Sequence, residues 1–170
     1  MNFFQIVIVG VVLMAVAWDL STRRIPNVLT FGAALAGFVV HGYAGGWSGA
    51  GMSVAGWFVG VACFLPVFLL RGMGGGDVKL LAAIGAWIGP VATVWVALFA
   101  SIAGGVLGLV VALCSGYLAQ LFVNVSCVLM AWRVSGLRPV PELTLASQRG
   151  PRLAYAVPLF AGLMMTLWLK

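Results

Sequence analysis

Asp19 and Asp77 are two of only three acidic residues in this 170-residue chain, and each stands where a long apolar run meets a short basic loop marked by glycine or proline. A carboxylate beside an apolar run is costly to keep without a partner, which makes it a candidate functional group. Two carboxylates that share one site cannot both ionise easily, so one keeps a proton near neutral pH. The ionised member can take a proton from water. The protonated member can hydrogen-bond a carbonyl oxygen and then protonate a leaving amine. Such a pair suits acid–base hydrolysis of an amide. The simpler alternative makes each aspartate a helix-end residue paired with Arg23, Arg24 or Lys79.

Apolar runs must position these groups. The first, Phe3 to Trp18, leads into Asp19 and the loop Ser21-Thr22-Arg23-Arg24-Ile25-Pro26-Asn27. Pro26 suits the first turn of a second span, about Val28 to Val40. His41 to Ala50 reads as a Gly-rich loop, Gly51 to Leu70 as a third span closed by Arg71, and Val78 to Ile88 as a short fourth. Eleven residues of helix reach only about 16 Å against a hydrocarbon core of roughly 30 Å, so the fourth span must be sheltered by other helices or continue through Pro90 with a kink. A fifth span is expected from Val91 to about Leu113 and a last one from Leu153 to Leu169. Tyr117 to Trp132 is apolar but holds Gln120, Asn124 and Ser126; it could extend the fifth helix, lie in the interface or cross the membrane. Arg133 to Arg152 is the most polar segment.

The chain is 64% hydrophobic and 7% charged, with a mean hydropathy of +1.17. Soluble domains carry about 25% charged residues. The composition therefore predicts an all-α, polytopic membrane bundle of about six transmembrane helices, one domain over residues 1–170. Ala15-Val16-Ala17 resembles a signal cleavage site, but no basic segment precedes the apolar stretch, so the first run reads as a retained span. The net charge of +6 does not point to nucleic acid, because the basic residues sit between the apolar runs rather than among aromatics. Arg23, Arg24, Arg71, Lys79, Arg133, Arg138, Arg149 and Arg152 fall on one side of a six-span arrangement and Lys170 on the other. The positive-inside rule makes the first side cytoplasmic and puts both termini outside. Asp19, ending the first span, and Asp77, opening the fourth, then lie at similar depth on the cytoplasmic side. Cys63, Cys114 and Cys127 lie inside apolar runs without a CxxC spacing, and His41 stands alone; they read as small buried hydrophobes, with no disulfide, metal site or cofactor expected.

Gly74-Gly75-Gly76 directly precedes Asp77. Glycines there permit backbone conformations that other residues resist and leave room for an extended peptide to lie alongside; a flexible turn is the plainer alternative.

Trp18-Asp19 through Arg24-Ile25-Pro26-Asn27 resembles the first aspartate motif of type IV prepilin peptidases, and Gly74-Gly75-Gly76-Asp77-Val78-Lys79-Leu80-Leu81, about 60 residues on, resembles their second, the GxGD signature shared with other membrane aspartic proteases. Tyr155-Ala156-Val157-Pro158-Leu159 resembles the family's closing span. The resemblance covers nearly the whole chain. It implies a multi-pass aspartic endopeptidase of the bacterial inner membrane, with Asp19 and Asp77 catalytic and Gly74, Gly76, Lys79, Pro26 and Asn27 binding substrate or shaping the loops. The implied substrate is a small prepilin or pseudopilin with a basic leader, a Gly at the cut, a nearby Glu and an apolar helix; pilus or secretion assembly machinery is the implied partner. Larger family members begin with a segment bearing cysteine pairs, and some N-methylate the new N-terminus. This chain opens on a span and lacks such cysteines, so it resembles the peptidase-only form associated with Flp-type (tight-adherence) pili, without methyltransferase activity. Two other readings remain: a small proton- or ion-coupled transporter using both aspartates, which should show internal repeats or a mid-span carboxylate, and a non-catalytic pilus or secretion assembly factor, which should tolerate Asn at both positions.

Overall fold

The computed structural model describes residues 3–116, 118–136 and 154–169. All the elements in these segments are helical: α1 Phe3–Thr22, α2 Asn27–Leu69, α3 Gly75–Ile88, α4 Pro90–Cys114, α5 Leu118–Ser135 and α6 Ala156–Trp168. Three of them, α1, α2 and α4, are long and apolar enough to cross a membrane.

At 43 residues, α2 would measure about 65 Å if straight, twice what a bilayer core needs. It doubles back instead. Gly46 breaks the helix with φ 57 and ψ −145, a backbone region that glycine alone enters readily. The contacts of the two halves with α3 show the reversal. Along the first half, Asn27 meets Lys79, Ala33 meets Trp87 and His41 meets the Trp87 carbonyl, so the two helices ascend together. Along the second half, Ser53 hydrogen-bonds the Ala86 carbonyl at 2.6 Å and Gly60 lies against Ala82, so the sense is opposite. The expected loop from His41 to Ala50 is thus helical apart from one glycine. The reversal takes one glycine with non-helical dihedrals, and the residues on either side of it stay helical.

The short helix α3 is the centre of the bundle. Leu80, Leu81, Ile84 and the alanines around them are fully buried, which bears out the expectation that a span of this length must be sheltered. Small residues permit the close approach: Gly56 of α2 abuts Gly85 of α3 backbone to backbone, where a side chain on either would collide. Gly89 (φ 80) then turns the chain, and Pro90 starts α4 at its first helical position rather than kinking a continuous helix. The helix α6 packs on α4 in the opposite sense, with Tyr155 beside Ala100 and Gly162 against Val96 and Ala100.

The break at Ser115 and Gly116 makes α5 a helix of its own, not an extension of α4; through Arg133 its side chains are exposed or half-buried. The cysteines depart from expectation. Cys63 is half-buried, whereas Cys114 and Cys127 are exposed. In a membrane bundle the outward face is as apolar as the core, so an apolar run does not tell the two faces apart. Most of the polar segment Arg133 to Arg152 lies outside the described residues.

Candidate active site

The helix α1 continues past the apolar run and carries Asp19 in its last turn, where Arg23 N–H closes on the Asp19 carbonyl at 2.9 Å. Arg23 (φ 54) and Arg71 (φ 57) each leave a helix through the left-handed region, so the chain turns sharply at the ends of both α1 and α2. The Asp19 side chain is 7% exposed, and its Oδ2 accepts a hydrogen bond from the backbone N–H of Ala156, the first residue of α6, at 3.3 Å. The N-terminal turn of a helix offers such unpaired N–H groups, and its dipole favours a negative charge there.

Asp77 occupies the first turn of α3, half-buried, with its own N–H donating to the Gly74 carbonyl at 3.2 Å. Asp19 and Asp77 come from different helices, which meet where Ile25, just past the end of α1, lies against Gly76, the residue before Asp77. Three helix ends therefore converge: the C-terminal turn of α1 and the N-terminal turns of α3 and α6.

The glycine triplet behaves differently from its sequence reading. Gly74 has ordinary extended dihedrals (φ −77, ψ 146), and Gly75 and Gly76 are already helical. What matters is space. A Cβ on Gly74 would stand 3.2 Å from Asp77 Oδ2, one on Gly76 would stand 3.3 Å from the Ile25 Cβ, and one on Gly75 would stand 3.3 Å from the Phe68 ring. Ile25 belongs to the segment carrying Pro26 and Asn27, so the first motif's loop rests directly on the second motif's helix. Pro26, with extended backbone (φ −61, ψ 132), precedes α2 and accepts from the N–H groups of Leu29 and Thr30, which sets the start of that helix. Lys79 Nζ donates to Asn27 Oδ1 at 2.9 Å and stands 5.3 Å from the centre of the Phe31 ring. The lysine considered as a partner for an aspartate is thus held by Asn27 across the two motifs.

Of the residues singled out from sequence, Asp19, Asp77, Gly74 and Gly76 come together at the converging ends, with Asn27 and Lys79 joined beside them. The site also contains the Tyr155 side chain and the Ala156 amide. Tyr155 was visible as part of a motif, but nothing in residue type marks a backbone amide that will meet a carboxylate 137 positions away. Beside Tyr155, an apolar cavity of about 340 Å³ opens between α2 and α4, lined by Cys63, Phe64, Met73, Leu98 and Ser101 among others. Among the described residues, no three His, Cys, Asp or Glu side chains converge as metal ligands would.

Residues 6–109 match the sequence profile of the Type IV leader peptidase family. Over 101 residues the chain is 41% identical to a Prepilin leader peptidase/N-methyltransferase of Burkholderia pseudomallei strain 1026b, and to the same degree to that of strain K96243. The match covers 55% of this chain and 32% of each relative, so the chain spans about a third of the length of these curated relatives. No solved structure matches it significantly.

Proposed function

The chain belongs to the type IV leader peptidase family, and from this premise we propose that it is a membrane aspartic endopeptidase that removes the leader peptide of prepilins or pseudopilins, with Asp19 and Asp77 as its catalytic pair. One observation carries the reading: the buried Asp19 carboxylate is held at the head of α6, and Asp77 stands in the first turn of α3, whose Gly76 lies against Ile25 just past the end of α1. One ionised carboxylate takes a proton from water as the oxygen attacks the scissile carbonyl. The other, protonated, donates to the carbonyl oxygen, and a proton then passes to the departing amine as the C–N bond breaks. The scheme works with either aspartate as the base and the other as the acid.

The surroundings suit a peptide substrate. The adjacent cavity is apolar and open, so an apolar helix can approach from between α2 and α4 with its leader toward the aspartate end. Arg23, Arg24 and Arg71 follow α1 and α2 at that same end, whereas His41, Tyr43 and Trp47 lie near the opposite reversal. By the positive-inside rule the aspartate end faces the cytoplasm and the N-terminus lies outside. The finer parts of the proposal are a small Flp-type substrate, a location in the bacterial inner membrane, and a place beside pilus or secretion assembly machinery.

The test is cleavage, in proteoliposomes, of a synthetic peptide with a basic leader, Gly at the cut, a nearby Glu and an apolar helix. Asp19→Asn and Asp77→Asn should each lower turnover by about 10³-fold or more while inserting normally, since each removes an acid–base group. Near-normal turnover in either variant overturns the paired-aspartate mechanism.

A further inference from the structure

The matched family region ends at residue 109, yet the buried carboxylate of Asp19 is held by a residue beyond it. Ala156 is fully buried, and its N–H meets Asp19 Oδ2 at 3.3 Å. A backbone amide can hold a carboxylate only as firmly as its helix is held. What fixes the head of α6 is the preceding side chain. The Tyr155 ring lies edge-on to Phe64 of α2 with ring centres 5.8 Å apart, and its hydroxyl reaches the Ala100 carbonyl of α4 at 3.4 Å. On its other side the ring fills the space left by Gly104: a Cβ there would stand 2.7 Å from Tyr155 Cε2 and 3.0 Å from both Cζ and the hydroxyl oxygen. The ring is thus wedged between two helices that carry neither aspartate.

We propose that Tyr155 is a positioning residue: its ring, seated in the Gly104 notch against Phe64, sets the head of α6 so that the Ala156 amide holds the Asp19 carboxylate in place. This inference rests on the reading of Asp19 as catalytic. The ring carries the wedge because it has close neighbours on two sides, Phe64 and the Gly104 notch, while the hydroxyl adds polar contacts to the Ala100 carbonyl and to Ser101. Phe at this position preserves the wedge, and Leu does not.

The experiment compares Tyr155→Phe, Tyr155→Leu, Gly104→Ala and the double variant Gly104→Ala/Tyr155→Leu in the same proteoliposome cleavage assay, with thermal melting followed in parallel. Displacing a catalytic group by about 1 Å can cost up to 100-fold. Tyr155→Leu should therefore lower kcat about 30- to 100-fold with KM within about twofold, and Tyr155→Phe should restore kcat to within about threefold of the parent. Gly104→Ala should lower kcat by pushing on the ring, and in the Leu background it should add no further loss, because the side chain it displaces is gone. The inference is overturned if Tyr155→Leu raises KM while leaving kcat intact, if its loss only follows a fall in folded fraction, or if the two substitutions simply multiply. Should Tyr155→Leu fail to fold, Gly104→Ala decides alone: unchanged kcat refutes the wedge. Asp19→Asn separates the premises. If that variant is inactive while Tyr155→Leu is unimpaired, the wedge fails and the aspartate pair stands; if it cleaves normally, the catalytic reading itself fails.

Discussion

Alanine placed at each glycine of the triplet before Asp77 should produce three different outcomes, because each added methyl meets a different neighbour. At Gly76 the methyl meets the β-branched Ile25 at 3.3 Å from Cβ and 3.6 Å from Cγ1 and Cδ1. Ile25 cannot turn away easily, since Asn27, two residues on, is tied to Lys79. Overpacking of this kind costs about 1–3 kcal/mol, of which replacing a helical glycine by alanine returns about 1 kcal/mol. The protein should therefore melt within a few degrees of the parent. The strain remains where the two motifs touch, however, and moves Asp77 relative to Asp19. At about 1.4 kcal/mol per factor of ten, a 1–3 kcal/mol displacement cost corresponds to a drop in kcat of about 5- to 150-fold. At Gly74 the methyl stands 3.2 Å from Asp77 Oδ2 itself, and a loss of similar size is expected without the gain from helix propensity. At Gly75 the methyl meets the edge of Phe68, a ring 41% exposed and free to swing outward. Alanine there should leave the melting temperature within a few degrees of the parent and kcat within about twofold, since the Phe68 ring can give way. Initial rates of peptide cleavage in proteoliposomes, paired with melts of the same preparations, measure all three. If Gly75→Ala is the most damaging, or Gly76→Ala is fully active, the steric account of this turn is wrong.

Lys79→Met should cost about 1 kcal/mol or less in stability, because the Asn27 bond it removes is exposed, and should lower cleavage by less than tenfold; a loss as large as that of Asp77→Asn would make the lysine part of the chemistry. With Cys63, Cys114 and Cys127 replaced, single cysteines at Ser21 and Ser48 should react with impermeant reagents from opposite sides, the first from the cytoplasm; labelling of both from one side would contradict the α2 hairpin. Cleavage should survive EDTA, and loss in EDTA reversed by one specific metal would replace the aspartic mechanism with a metal-dependent one.

Composition alone determined that this chain is a helical membrane protein, because 7% charged residues cannot cover a water-soluble surface. Apolar run lengths located α1, both halves of α2, α3 and α4 to within a few residues, and the scarcity of carboxylates singled out Asp19 and Asp77. Tertiary structure decided the rest. Whether Cys114 faced the core or the lipid was not written in its neighbours, since both surroundings are apolar. The glycines before Asp77 looked like conformational hinges, and their dihedrals turned out ordinary; their use is the room they leave for Ile25 and the Asp77 carboxylate, which depends on what folds against them. The Ala156 amide carries no residue-type signal, because every residue except proline has one. It meets Asp19 because α6 begins beside the end of α1, where the Tyr155 ring also fills the gap at Gly104. Sequence records which side chains are present, and the fold decides which backbone groups will meet them.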